Sequence, residues 1–240
     1  MVAINCDLGE AFSIYRCGDD AAIMPYITVA NVACGFHGGD PVVLRDTVAL
    51  AKKHGVRVGA HPSLPDREGF GRREMKLARG ELTASVLYQV GALTGFLAEQ
   101  GMTLNHIKPH GALYGMAARD PETAQAVADA AEVFGVPLLG MAGTVHERIW
   151  GAREAGFLAE YYTDLDYRDD GSLIITREHA AVDPAVAAER AVRAITEGVA
   201  TSINGVEFPM RADCVCVHSD TPGAPELAKA VHQALLEHLD

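Results

Sequence analysis

The sequence predicts an α/β protein, a seven-stranded parallel β/α barrel built as one domain over residues 1–240. Two observations carry that expectation. Short apolar runs rich in Val, Ile and Leu alternate with longer stretches of helical periodicity, a pattern that builds right-handed βαβ units around a parallel sheet. Seven such runs are enough to close, or nearly close, a barrel. A doubly wound open sheet is the alternative, but no G-x-G-x-x-G turn follows the first run.

In chain order, strands are expected at 2–6, 27–34, 56–60, 103–108, 136–141, 157–162 and 213–218, several of them near-continuously apolar, as strands covered on both faces are. A helix is expected over 41–54, with Val42, Leu44, Val48 and Ala51 as its apolar positions. Asp40 is a good N-cap for it and Pro41 suits its first position. The stretch 81–100 sets Leu82, Val86, Val90, Leu93 and Leu97 on one stripe. Helices over 121–134 and 144–155 follow, and those over 184–199 and 225–239 both open on proline. Asn204-Gly205, between Ser202-Ile203 and residues 206–208, marks a small β-hairpin within 200–212.

Composition narrows the function. A hydrophobic content of 49 % supports a sizeable core, and a net charge of −12 speaks against a nucleic-acid surface. A pocket inside an acidic protein can still be locally positive and take an anion. The opening MVAINCDLGE has no basic stretch leading into an apolar core, so no secretory leader is expected. No apolar run approaches the ~18 residues of a membrane span. Cys6, Cys17, Cys34, Cys214 and Cys216 are an odd set without C-x-x-C spacing, which suits reduced thiols and a cytoplasmic location.

Chemistry-bearing residues gather where the strands end. The first ends in Asn5-Cys6-Asp7-Leu8-Gly9-Glu10, the second in Cys34-Gly35-Phe36-His37-Gly38-Gly39-Asp40 and the third in Gly59-Ala60-His61-Pro62-Ser63. The fourth ends in Lys108-Pro109-His110-Gly111 and the seventh in His218-Ser219-Asp220. A β/α barrel builds its active site from these carboxyl ends, so His37, His61, His110 and His218 should meet Asp7, Glu10, Asp40 and Lys108 at one mouth. Lys108 and His110 alternate and should point together into that mouth, with His106 one layer deeper and Tyr114 closing the edge. In the loop LPDREGFGRR, Arg67 is a candidate anion ligand. Asp7, His37, His61 and His110 form an N/O set suited to a divalent metal, or equally a general acid–base group. No G-x-x-x-x-G-K-[ST] loop and no G-x-S-x-G elbow occurs.

The blocks INCDLGE, ANVACGFHGGDP, GAHPSLPDREGFGRR, KPHGALYG and CVCVHSD, in this order from residue 4 to 220, resemble the LamB/YcsF family. That resemblance implies a seven-stranded barrel similar to the glycoside hydrolase/deacetylase fold. It also implies ATP-dependent opening of 5-oxoproline to L-glutamate, with Mg-ATP as co-substrate and separate B and C subunits as partners. Asp7, Glu10, His37, Asp40, His61, Lys108, His110 and His218 match the family's motif positions as pocket residues. Because the chain lacks an ATP cradle, partner subunits are expected to phosphorylate the lactam, after which Asp7 or His61 activates water. Lys108 and Arg67 would then stabilise anionic charge while His110 protonates the leaving nitrogen. Two rival readings are a metal-dependent deacetylase or amidohydrolase, and a non-catalytic lactam-binding regulator.

Overall fold

The computed structural model describes residues 2–174 and 180–239. Seven parallel strands form a closed barrel in the order β1 (Ala3–Leu8), β2 (Val29–Ala33), β3 (Arg57–His61), β4 (Leu104–Ile107), β5 (Leu138–Gly140), β6 (Phe157–Tyr162) and β9 (Cys214–His218), the last closing on the first. The remaining two strands, β7 (Val199–Thr201) and β8 (Glu207–Pro209), pair antiparallel around Asn204-Gly205 outside the barrel.

Alternation along the strands separates two interiors. On β1, Ile4, Cys6 and Leu8 face the surrounding helices and join the apolar core. Asn5 and Asp7 point the other way, into the barrel, where Asn31 Nδ2 donates to Asn5 Oδ1 at 2.8 Å and to Asp7 Oδ1 at 2.7 Å. On β9 the same rule sends Val215 and Val217 to the core, while the Cys214 and Cys216 thiols meet Asn5 Nδ2 and Lys108 Nζ. The barrel lumen is therefore polar: His106 Nε2 donates to Asn31 Oδ1 at 2.6 Å beneath the mouth. Gly59 makes room for that ring, since a Cβ there would lie 2.0 Å from His106 Cε1.

Six helices match the expected apolar stripes: α2 (Pro41–His54), α3 (Arg79–Glu99), α5 (Pro121–Phe134), α6 (Val145–Trp150), α7 (Pro184–Thr196) and α8 (Ala224–Leu235). The expected 144–155, 184–199 and 225–239 helices end earlier than their patterns, at Trp150, Thr196 and Leu235. Two short helices were not expected, α1 (Asp20–Ile23) and α4 (Gly111–Ala117). In α4 the run after His110 coils at once, because Ala112, Leu113, Met116 and Ala117 are good helix formers. Gly111 takes φ +51°, and an added Cβ would sit 2.7 Å from the Gly71 carbonyl. That close approach lets Gly71 O accept from Ala112 N at 2.8 Å, which ties the β3 loop to the β4 loop. No helix among the described residues is long and apolar enough to cross a membrane.

Candidate active site at the carboxyl ends of the strands

The strand registers place Asp7 beside Asn31 of β2 and His218 of β9. Immediately past the end of β4, Lys108 reaches across the lumen. Its Nζ lies 3.1 Å from Asp7 Oδ1, 3.0 Å from Glu160 Oε2 and 3.3 Å from Asn5 Oδ1. Burial lowers the pKa of such an ammonium, but Asp7, the Cys216 sulfur and Glu160 outweigh it and hold Lys108 protonated, well above its ordinary value. Asp7 is likewise raised by burial, yet its contacts with His61 and Lys108 win and keep it far below the usual carboxylate range. The mouth thus has a fixed cation and a fixed anion in contact, shielded from water.

The other oxygen of Asp7, Oδ2, faces two imidazoles, with His61 Nε2 at 3.3 Å and His218 Nε2 at 3.8 Å. His218 Nδ1 lies 3.0 Å from Asp164 Oδ1, and Asp164 Oδ2 accepts from the His218 backbone N–H at 2.9 Å and from Thr221 Oγ1 at 3.0 Å. Burial opposes charge on His218, but Asp164 and then Asp7 raise its pKa to about 9. It is an imidazolium at neutral pH, with Nε2–H turned toward the cavity.

A second polar knot lies alongside. His61 Nδ1 contacts Lys108 O at 2.8 Å, and His61 Nε2 is 3.0 Å from His110 Nδ1. His110 Nε2 contacts Phe70 O at 2.8 Å. Glu10 Oε1 lies 3.5 Å from His110 Nδ1 and 3.0 Å from His37 Nε2. His37 stacks flat on His110, ring centroids 3.7 Å apart and planes 3° from parallel. Burial first, and neighbouring imidazoles second, keep the pKa of His110 well below its ordinary value; His37 is lowered by the same two causes.

These groups border a cavity of about 250 Å³, lined by Asp7, His61, Lys108, His110, Tyr114, Tyr162 and His218, with Arg72 and Arg119 among the residues at its edge. Its size suits a small molecule. Tyr114, on α4, turns its ring edge to His146 and Tyr162, and its hydroxyl is buried without a hydrogen-bond partner among the described residues.

Asp7, Glu10, His37, His61, Lys108, His110, Tyr114 and His218 are therefore brought together. Asp40 and Arg67 are not. Asp40 caps α2 through Val42 N and Val43 N and receives Ser13 N, so its carboxylate is spent on loop geometry. The Arg67 guanidinium bonds the Gly35 and Gly39 carbonyls and covers the Phe12 ring at 3.8 Å, clamping the β2 loop. The sequence pattern did not single out Glu160 or Asp164, and in the LPDREGFGRR loop it favoured Arg67 where Arg72 reaches the cavity. A glutamate between Ala159 and Tyr161 in an otherwise apolar strand was the signal for the first. Asp164 stands two residues past the end of β6, as Glu10 stands past the end of β1.

The fold and site together define a β/α barrel with a buried acid–base cluster at the carboxyl ends of its strands. The chain belongs to the LamB/YcsF family, whose model matches residues 2–239. It is 47 % identical over 240 residues to the A subunit of 5-oxoprolinase from Thermus thermophilus, covering 98 % of this chain and 95 % of that one. It is 45 % identical over 238 residues to the lactam utilization protein lamB of Emericella nidulans, covering 98 % and 94 %. The crystal structure of a lactam utilization protein from Thermus thermophilus superposes with a TM-score of 0.92 at 45 % identity, covering 98 % and 96 %. A family 4 carbohydrate esterase from Streptomyces lividans shares the fold alone, with a TM-score of 0.54 at 10 % identity over 98 % and 88 % of the two chains.

Proposed function

We propose that the chain opens the ring of 5-oxoproline to L-glutamate as the A component of an ATP-dependent 5-oxoprolinase, together with B and C subunits that handle Mg-ATP. The observation that supports it most is the oppositely charged cluster of Asp7, Lys108 and His218 at the wall of a small cavity, in a chain so similar along its length to proteins that bear that name.

A lactam is a resonance-stabilised amide, and water opens it very slowly. Phosphorylation of its oxygen by partner subunits would weaken that resonance and leave a carbon open to water. In the barrel mouth the ionised Asp7 takes the proton of the attacking water through Oδ2. Attack moves the C=N electron pair onto the ring nitrogen, and Lys108 stabilises the negative charge of the phosphoryl group across the lumen, an effect typically worth ~3–4 kcal/mol for a well-placed donor. His218, cationic and held by Asp164, replaces His110 as the acid that protonates the departing ring nitrogen. C–N cleavage leaves an acyl phosphate, which a second water hydrolyses to L-glutamate and phosphate. Arg72, whose guanidinium Nη2 lies 2.8 Å from Asp220 Oδ2 at the cavity edge, takes over from Arg67 as the contact for a carboxylate or phosphate.

The test is glutamate release from 5-oxoproline and Mg-ATP by the B and C subunits, with and without this chain. Release only when the chain is added supports the reading. Equal release without it would remove the lactam assignment.

A further inference from the structure

We propose that His61 Nε2, His110 Nδ1 and Glu10 Oε1 form a binding site for one divalent transition-metal ion of the zinc class. The proposal rests on this geometry and holds whatever the substrate is. A backbone carbonyl only accepts hydrogen bonds, so the nitrogens facing Lys108 O and Phe70 O, His61 Nδ1 and His110 Nε2, must carry the protons. With both imidazoles neutral the remaining nitrogens bear lone pairs; they face each other at 3.0 Å, and Asp7 Oδ2 stands 3.3 Å from His61 Nε2 as a further acceptor. Two lone pairs at that distance repel unless a cation lies between them. Glu10 Oε1, an acceptor again, closes the third side at 3.5 Å from His110 Nδ1.

The spacing suits a metal. Ligands about 2.0–2.1 Å from a tetrahedral zinc lie ~3.3–3.4 Å from one another, against 3.0 and 3.5 Å here. The rings of His61 and His110 stand at 89°, so both planes can contain one ion. The outer contacts are also those of a metal centre, since each imidazole is fixed by a carbonyl at its far nitrogen. His37 cannot join on the same terms: its ring lies parallel to His110 and displaced by 3.7 Å, so no single ion lies in both planes. It instead donates to Glu10 Oε1 at 3.0 Å and holds that carboxylate in place. Asp7 Oδ1 is committed to Lys108 and Asn31, while its Oδ2, 3.3 Å from His61 Nε2, borders the same site. The neighbouring group of Asp7, Cys216 and His218 is the weaker candidate, because the Lys108 ammonium already stands 3.1 Å from both Asp7 Oδ1 and Cys216 Sγ.

Imidazoles favour zinc, cobalt or nickel over magnesium or calcium, which prefer all-oxygen cages. Three protein ligands leave a fourth position, and His61 and His110 both border the cavity. An ion bound there would supply Lewis acidity to a ligand oxygen.

The purified chain, stripped with a chelator and titrated with Co²⁺ and Zn²⁺, should bind about one equivalent and give the visible absorption of tetrahedral cobalt. Glu10→Gln, which keeps the shape, should weaken binding at least roughly tenfold, the scale seen when a ligand's support is lost. His110→Asn should weaken it more, and His218→Asn should leave it unchanged. Circular dichroism on each variant separates lost binding from lost folding. A folded wild-type chain that takes up no ion, its lone pairs bridged by a proton alone, would overturn the proposal. So would binding that survives both Glu10→Gln and His110→Asn.

Discussion

Asp164 Oδ1 lies 3.0 Å from His218 Nδ1, and this contact sets the charge of the cavity wall. With Asp164 replaced by Asn, the His218 titration midpoint should fall from about 9 by at least ~1 unit, equivalent to ~1.4 kcal/mol. NMR titration of the imidazoles measures it, and a midpoint still near 9 would refute the assignment. The sign for stability follows. A histidine raised in the folded state contributes fully below its unfolded pKa near ~6.5 and loses that contribution as pH rises through about 9. The stability gap between wild type and Asp164→Asn should therefore narrow between pH 6.5 and 10 in urea unfolding.

Lys108 is the cation that makes two buried carboxylates tolerable. Lys108→Met should cost ~3–5 kcal/mol, because Asp7 and Glu160 would be left buried without their partner. Adding Glu160→Gln to the same chain should return part of that loss. Thermal melts of the single and double variants decide the point; an unchanged melt in Lys108→Met would contradict the account.

Gly59 tests the polar layer under the mouth. An alanine Cβ would meet His106 Cε1 at 2.0 Å, so the ring must move and surrender its bond to Asn31. Gly59→Ala should destabilise by at least the ~1–3 kcal/mol typical of overpacking, readable as a lower urea midpoint. A midpoint equal to wild type would mean the layer is looser than its distances state.

The two loop arginines should separate kinetically. Arg72→Ala should raise KM for 5-oxoproline by at least roughly tenfold, the loss of one charge-assisted bond. Arg67→Ala should lower the melting temperature, by freeing the Gly35 and Gly39 carbonyls, with a smaller change in KM. The reverse pattern would restore Arg67 as the anion contact.

Much of this was legible in the sequence. Apolar periodicity announced the strands and the helices that cover them, because each element buries a face against the next. The histidines and acids at the strand ends announced a mouth, because parallel strands of a closed barrel deliver their carboxyl ends to one side. The polar lumen was harder to see: Asn5, Asn31, His106 and Glu160 face inward by alternation, but the bonds among the first three span up to 75 residues in the chain and Glu160 meets Lys108 from another strand. Asp40 misled because a helix cap and a pocket acid look alike in sequence. Arg67 and Arg72 lie in one loop, and only the fold of that loop distinguishes clamp from cavity wall.

The central claim is that the lactam is opened at this barrel mouth, and glutamate release by the assembled A, B and C subunits with Mg-ATP tests it most directly when the A chain carries His218→Gln. The account predicts assembly as in wild type and glutamate release reduced by at least ~100-fold, the scale of general acid catalysis. Release at the wild-type rate would contradict it.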